Sequence, residues 1–112
     1  MITCEEKFSQ RCPVRYTLDL LGGKWKLPII FALSQERKRF SVLERQIQGI
    51  SPRMLVKELK ELERHQLITR TVFAEVPPRV EYALTAAGSS IAPLLREINQ
   101  WGTQHMATHQ LL

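Results

Sequence analysis

The apolar positions along this chain change their period twice, and the changes divide it into elements. Val14, Leu18 and Leu21 recur at helical spacing from Pro13 onward, and Gly22-Gly23 ends the run. Pro13 suits a first helical turn, where its missing N–H would have no partner anyway. A second helix is predicted from Trp25 to Ser34 in "KWKLPIIFALS", with Pro28 near its start. It is apolar almost all round, the pattern of a buried core helix. "QERKR" follows as a charged loop. "FSVLERQIQGIS" then places Phe40, Leu43 and Ile47 on one stripe, with Gly49 as a stop signal. Ser51 is a strong N-cap and Pro52 falls at the first helical position, so a further helix begins there. Helix, short glycine-containing turn and capped helix have the spacing of a helix-turn-helix.

After His65 the period shortens to two. Ile68, Arg70 and Val72 alternate with Thr69, Thr71 and Phe73; beyond the break "AEVPP", Val80, Tyr82 and Leu84 alternate again. Two such strands form a hairpin, and behind a helix-turn-helix a hairpin is a wing. Thr85 caps a last helix, "AAGSSIAPLLREINQWGTQHMATHQ", with Ile91, Leu94, Leu95, Ile98 and Trp101 on a stripe. Pro93 requires that this helix begin near Ser89 or Ser90, or else kink. The expected fold is mainly α with a small β-hairpin wing, a winged helix-turn-helix with helices added at both ends. Residues 1–11 are expected to be a polar arm and residues 12–112 one domain.

The helix of residues 51–65 carries the candidate chemistry. At about 100° per residue, Leu59 and Leu62 fall within about 40° of Leu55, a core-facing stripe. Arg53, Lys57, Lys60 and Arg64 fall between about 140° and 200°, on the opposite side. Glu58 and Glu61 lie to one flank and Glu63 to the other. A solvated face usually mixes its signs, whereas this one sorts them. A row of cations on the second helix of such a motif suits the major groove of a duplex, where Arg bridges guanine O6 and N7. Ser51, Pro52, Arg53, Met54 and Lys57 would lie deepest and read bases, with Lys60 and Arg64 on phosphate. In the wing, residues 74–80, Pro77-Pro78 stiffen the loop, and Arg79 at its tip would enter the minor groove or serve as an ordinary solvated turn residue. Lys24, Lys26, Arg37, Lys38 and Arg39 are further candidates for backbone contact, though a generic surface accounts for most of them.

Charge supports this picture without deciding it. Lys and Arg outnumber Asp and Glu by 16 to 11, and the pI is about 9.6, above the usual mark for a nucleic-acid footprint. The polar start "MITCEEKFSQRC" lacks the apolar region of a signal peptide. The longest apolar run, Leu27 to Leu33, is far short of the roughly 20 residues of a membrane span. With Cys4 and Cys12 too few for a disulfide framework, a cytoplasmic location is expected. His105 and His109 stand at i, i+4 without a third ligand, so no metal site is assigned. There is no glycine-rich phosphate loop and no Cys–His site with an orienting partner, so neither an enzyme nor a cofactor is expected.

The order "CPV…LLGGKW", "GISPRMLVKELKELERHQLITR", "PPRVEYALTAAG" and "INQWG" resembles the HxlR-type winged helix-turn-helix regulators of bacteria, from about Cys12 to Gly102. The resemblance implies a homodimeric DNA-binding regulator of transcription, a repressor before an activator, paired through its terminal helices on a dyad-symmetric operator. "HQL" stands where the family often has a glycine before the leucine, so the turn after His65 is expected to differ. The dimer has one independent support, since Leu94, Ile98 and Trp101 exceed what so small a domain covers. The same stripe could instead fold back on Val14 and Leu18 within one subunit, and both arrangements could hold in part.

Cys12 precedes Pro13 at a helix start, where the helix dipole favours a thiolate, and Arg11 and Arg15 add positive charge. Some members of the family sense oxidants or electrophiles through a cysteine at this place. Cys12 is therefore a candidate sensor, with Cys4 as a resolving partner, or else a small capping or core residue. An oxidant or small-molecule inducer is compatible with either. Two other functions compete: a winged-helix module that binds protein, and a sequence-blind DNA-coating protein. The sorted cations of the second helix weigh against the first.

Overall fold

Among residues 12–109, which the computed structural model describes, the chain runs α1 (Pro13–Leu21), α2 (Lys26–Leu33), β1 (Lys38–Arg39), α3 (Phe40–Gln46), α4 (Pro52–Arg64), β2 (Ile68–Phe73), β3 (Arg79–Leu84), α5 (Ala86–Ser89) and α6 (Ala92–Thr108). The expected arm of residues 1–11, with Cys4 and Arg11, lies outside the described residues. The architecture is mostly helical, with a small antiparallel sheet as the wing. Leu55, Leu59 and Leu62 of α4 join Ile29, Ile30 and Leu33 of α2, Leu43 of α3, and Ile68 and Tyr82 of the sheet in one core.

Local chemistry accounts for most boundaries. Pro28 is the third residue of α2, in the first turn, where a missing N–H costs nothing. Gly49 turns the chain between α3 and α4 at φ +90°, a conformation L-residues rarely hold. The Met54 N–H donates to Ser51 Oγ at 3.1 Å, capping α4 as its Ser-Pro start implies. At the other end of α4, the Gln66 N–H donates to Glu63 O at 2.9 Å and the Leu67 N–H to Leu62 O at 3.0 Å. These two bonds form a Schellman motif, which needs a left-handed residue. Gln66 supplies it at φ 61°, at the position where the resembled family often has glycine.

Three expectations are corrected. The charged loop contains β1, because the edge of β3 offers unpaired N–H and C=O groups; Lys38 pairs with Tyr82 and Arg39 with Glu81. The sheet is consequently three-stranded, in the order β1-β3-β2, rather than a hairpin alone. α2 is not buried all round: Ile29, Ile30 and Leu33 are, but Phe31 stays 47% exposed. The last helix is in two pieces. Thr85 caps α5, accepting from the Gly88 N–H at 3.0 Å, and α6 restarts at Ala92 with Pro93 in its first turn. Gly88 marks a close approach: a Cβ there would stand 2.1 Å from the carbonyl oxygen of Leu67.

Candidate nucleic-acid interface

The leucine stripe of α4 is buried, and that burial turns the opposite side of the helix outward. Arg53, Lys57, Lys60 and Arg64 are all exposed. Among the described residues none of the four is in an ion pair. At 1.5 Å per residue they form a row about 16 Å long. Ser51 and Pro52, at the start of the helix, are exposed as well, whereas Met54 turns partly inward against the core.

The acids on the flank have a different task. Lys26, the first residue of α2, places its Nζ 2.9 Å from Glu58 Oε2 and 2.7 Å from Glu61 Oε2. Burial acts to lower the Lys26 pKa, but the hydrogen bonds to Glu61 and Glu58, reinforced by their charges, raise it above its ordinary value. The Glu61 carboxyl is held below its ordinary range by the Lys26 hydrogen bond first and the Lys26 charge second, with smaller effects from Lys57 and Arg64. Both groups are therefore charged at neutral pH. Their contact joins α2 to the flank of α4, beside the buried leucine stripe that turns the cation row outward.

The other candidate cations are mostly engaged with protein. Lys24 Nζ sits 4.7 Å over the Trp25 ring. Arg37 lies 3.6 Å from Glu81. Lys38 is only 6% exposed and faces Glu36 at 3.8 Å. Arg39 stays exposed and, among the described residues, outside any ion pair. Arg79 is not at the tip of the wing: it opens β3, with its guanidinium 4.2 Å over Phe73. It contacts Glu75 at 3.3 Å and Glu81 at 3.2 Å. The Nε contact with Glu81 is electrostatic rather than an aligned hydrogen bond, since that buried nitrogen lacks a hydrogen-bond partner. The tip itself is Val76-Pro77, and Val76 is fully exposed. Arg70 is the cation that helix periodicity does not find. It lies on the same face of β2 as the buried Ile68, opposite Tyr82, yet is exposed and unpaired among the described residues. The signal was a charge set within an apolar alternation.

At the ends of the chain, Val14, Leu18, Leu94, Ile98 and Trp101 are 54%, 64%, 42%, 44% and 67% exposed. The first four line one groove between α1 and α6, of about 600 Å³, with Leu21 and Leu27 at its base. Trp101 stacks on His105 at 4.9 Å, and His105 on His109 at 4.1 Å. No group of three or more metal-ligating side chains occurs among the described residues. Cys12 is the N-cap residue of α1, completely buried, and its sulfur is disulfide-bonded rather than free. No helix among the described residues is long and apolar enough to cross a membrane.

Comparison with known proteins agrees with this geometry. A model of the HxlR-like helix-turn-helix family matches residues 20–110. The HTH-type transcriptional regulator YdeP of Bacillus subtilis is 42% identical over 94 residues, covering 84% of this chain and 73% of that protein. The structure of the redox regulator HypR in its oxidised form superposes with a TM-score of 0.79 at 40% identity, covering 83% of this chain and 96% of HypR. The reduced form of the transcriptional regulator YodB from B. subtilis superposes at 0.73 with 36% identity, covering 83% and 92%.

Proposed function

Because this chain belongs to the HxlR-like helix-turn-helix family, whose members are transcriptional regulators and not enzymes, we propose that it is a sequence-specific repressor acting as a homodimer on a dyad-symmetric operator. The observation that carries this reading is the unpaired cation row on the exposed side of the capped helix α4. Arg53 and Lys57, with Ser51, Pro52 and Met54 around them, enter the major groove and read bases; Lys60 and Arg64 hold phosphate. The wing of residues 74–80 lies along the adjacent minor groove. There Arg79 reaches the duplex only by exchanging Glu75 and Glu81 for it. Val14, Leu18, Leu94, Ile98 and Trp101 form the seam between subunits, which sets the spacing of the two recognition helices. Cys12 serves as a redox switch at the start of α1, a role supported by the likeness to a redox regulator.

Selection of bound sites from random duplexes, followed by footprinting on genomic fragments, tests the proposal. Discrete protected dyads are the expected result. Binding everywhere would instead indicate a sequence-blind coating protein, and no binding a protein-interaction module; either overturns the regulator reading. On a selected site, Arg53→Ala should cost about 1–3 kcal/mol and relax the base preference. Arg64→Ala should weaken cognate and random duplexes alike. An Arg53→Ala loss of the same size on both would contradict base reading by that residue.

A further inference from the structure

The wing treats its arginines in two ways. On the outer face of the sheet, Arg79 and Arg37 are both matched by carboxylates, Glu81 between them and Glu75 beside Arg79. On the inner face, Arg70 is matched by none among the described residues. It lines a hollow of about 340 Å³ between α4 and the sheet, shared with Lys60 and Glu63 of α4 and floored by Phe40 and Tyr82. Glu63 is in ion-pair contact with neither cation. Two exposed cations thus line one hollow with an apolar floor, and with no carboxylate paired to either, their mutual repulsion is relieved by a bound anion.

We propose that this hollow is a seat for one backbone phosphate of a nucleic-acid duplex, gripped by Arg70 from the wing and Lys60 from the recognition helix. The assignment rests on the regulator reading, because α4 must lie in a groove for the flanking strand to pass between helix and wing. Arg70 supplies a planar fork that can hold two phosphate oxygens, and Lys60 supplies a compact charge. Glu63 opposes the phosphate and keeps the grip weaker than the two cations alone would make it. Arg70 therefore fixes how far the wing closes on the strand, a task that Arg79, engaged with Glu75 and Glu81, does not perform.

The test is equilibrium binding of the full chain to a selected site and to a random duplex, titrated between about 50 and 200 mM salt. Arg70→Ala should weaken both complexes by the same factor, about fivefold to tenfold at 0.1 M salt, and lower the salt slope by about one. Arg70→Lys should keep the slope and recover part of the affinity, and Glu63→Gln should tighten binding about twofold or more. Wild-type protein that binds no duplex overturns the regulator reading and the seat together. Wild type that binds, with a natively folded Arg70→Ala of unchanged affinity and slope, overturns the seat alone. If Arg70→Ala loses its native circular dichroism, Glu63→Gln decides, and unchanged or weaker binding by that variant overturns the seat.

Discussion

A single side chain in this fold takes its meaning from the carboxylates around it. Arg79 and Arg70 are both wing arginines, yet Arg79 is bound to Glu75 and Glu81 while Arg70 faces Lys60 across an open hollow. Sequence spacing places Arg70 on a strand and Arg79 at the tip of the wing, and it does not show which acid folds against which base. Glu81 meets Arg37 only once β1 and β3 have paired. Cys12 poses the same kind of question, because its chemistry depends on whether its sulfur is bonded. If Cys12 is the proposed switch, forming its disulfide passes two electrons from two thiols to the oxidant, and the bonded and reduced proteins should differ in operator affinity. Cys12→Ser should then bind the operator irrespective of added diamide, while wild-type affinity changes about tenfold, a coupling of about 1.4 kcal/mol. Fluorescence-anisotropy titrations with and without diamide measure both. A Cys12→Ser protein whose affinity still shifts with diamide to the wild-type extent would end the sensor role.

Elements announced by their own residues were foreseeable, and elements created by a neighbour were not. α4 carries its cap, its first-turn proline and an unbroken leucine stripe in one contiguous stretch, so its start and exposed side followed from the chain alone. β1 has two charged residues and no apolar alternation; it is a strand because the edge of β3 pairs with it. The break between α5 and α6 falls just before Pro93, which the chain did announce, whereas the approach of Gly88 to Leu67 appears only in the folded structure. The contact of α2 with α4 through Lys26 was hidden for a similar reason, since a lysine before a helix looks like surface. Its energetics can be tested by pH. Glu61 has a lowered pKa, so its contribution to stability is present above its ordinary value near 4.5 and is lost as the pH falls through the lowered value. Lys26 has a raised pKa, so its contribution is complete below its ordinary value near 10.5 and is lost only as the pH rises through the raised one. Lys26→Met should therefore destabilise the fold at pH 7 by about 1–3 kcal/mol, chiefly by leaving the buried Glu58 carboxylate without its partner. Urea denaturation should show the gap from wild type narrowing in acid as Glu61 protonates. A gap independent of pH would mean that the lysine acts through packing rather than charge.

For the molecule as a whole, the question is what the terminal helices do. Of the 17 residues of α6, Leu95 alone is buried, although the helix is about 25 Å long and its stripe continues through Leu94, Ile98 and Trp101. A helix gains most of its stability from burying such a face, and the groove it forms with α1 only partly covers these residues. Folding back within the subunit and pairing with a second copy are thus compatible, the first shaping the groove and the second closing it. Because Leu94 and Ile98 are more than two-fifths exposed in the single chain, replacing both with glutamate removes little from the core of one subunit. In a dimer the same change buries four carboxylates in an apolar seam, which is prohibitive without partners. Leu94→Glu with Ile98→Glu should therefore give a monomer with a native circular dichroism spectrum, seen by sedimentation. Losing the second half-site contact should lower operator affinity about 100-fold or more, since linked sites gain that much from being joined. If the double variant still sediments as a dimer and binds with wild-type affinity, α6 and α1 do not form the seam, and the recognition helices must be spaced by another surface.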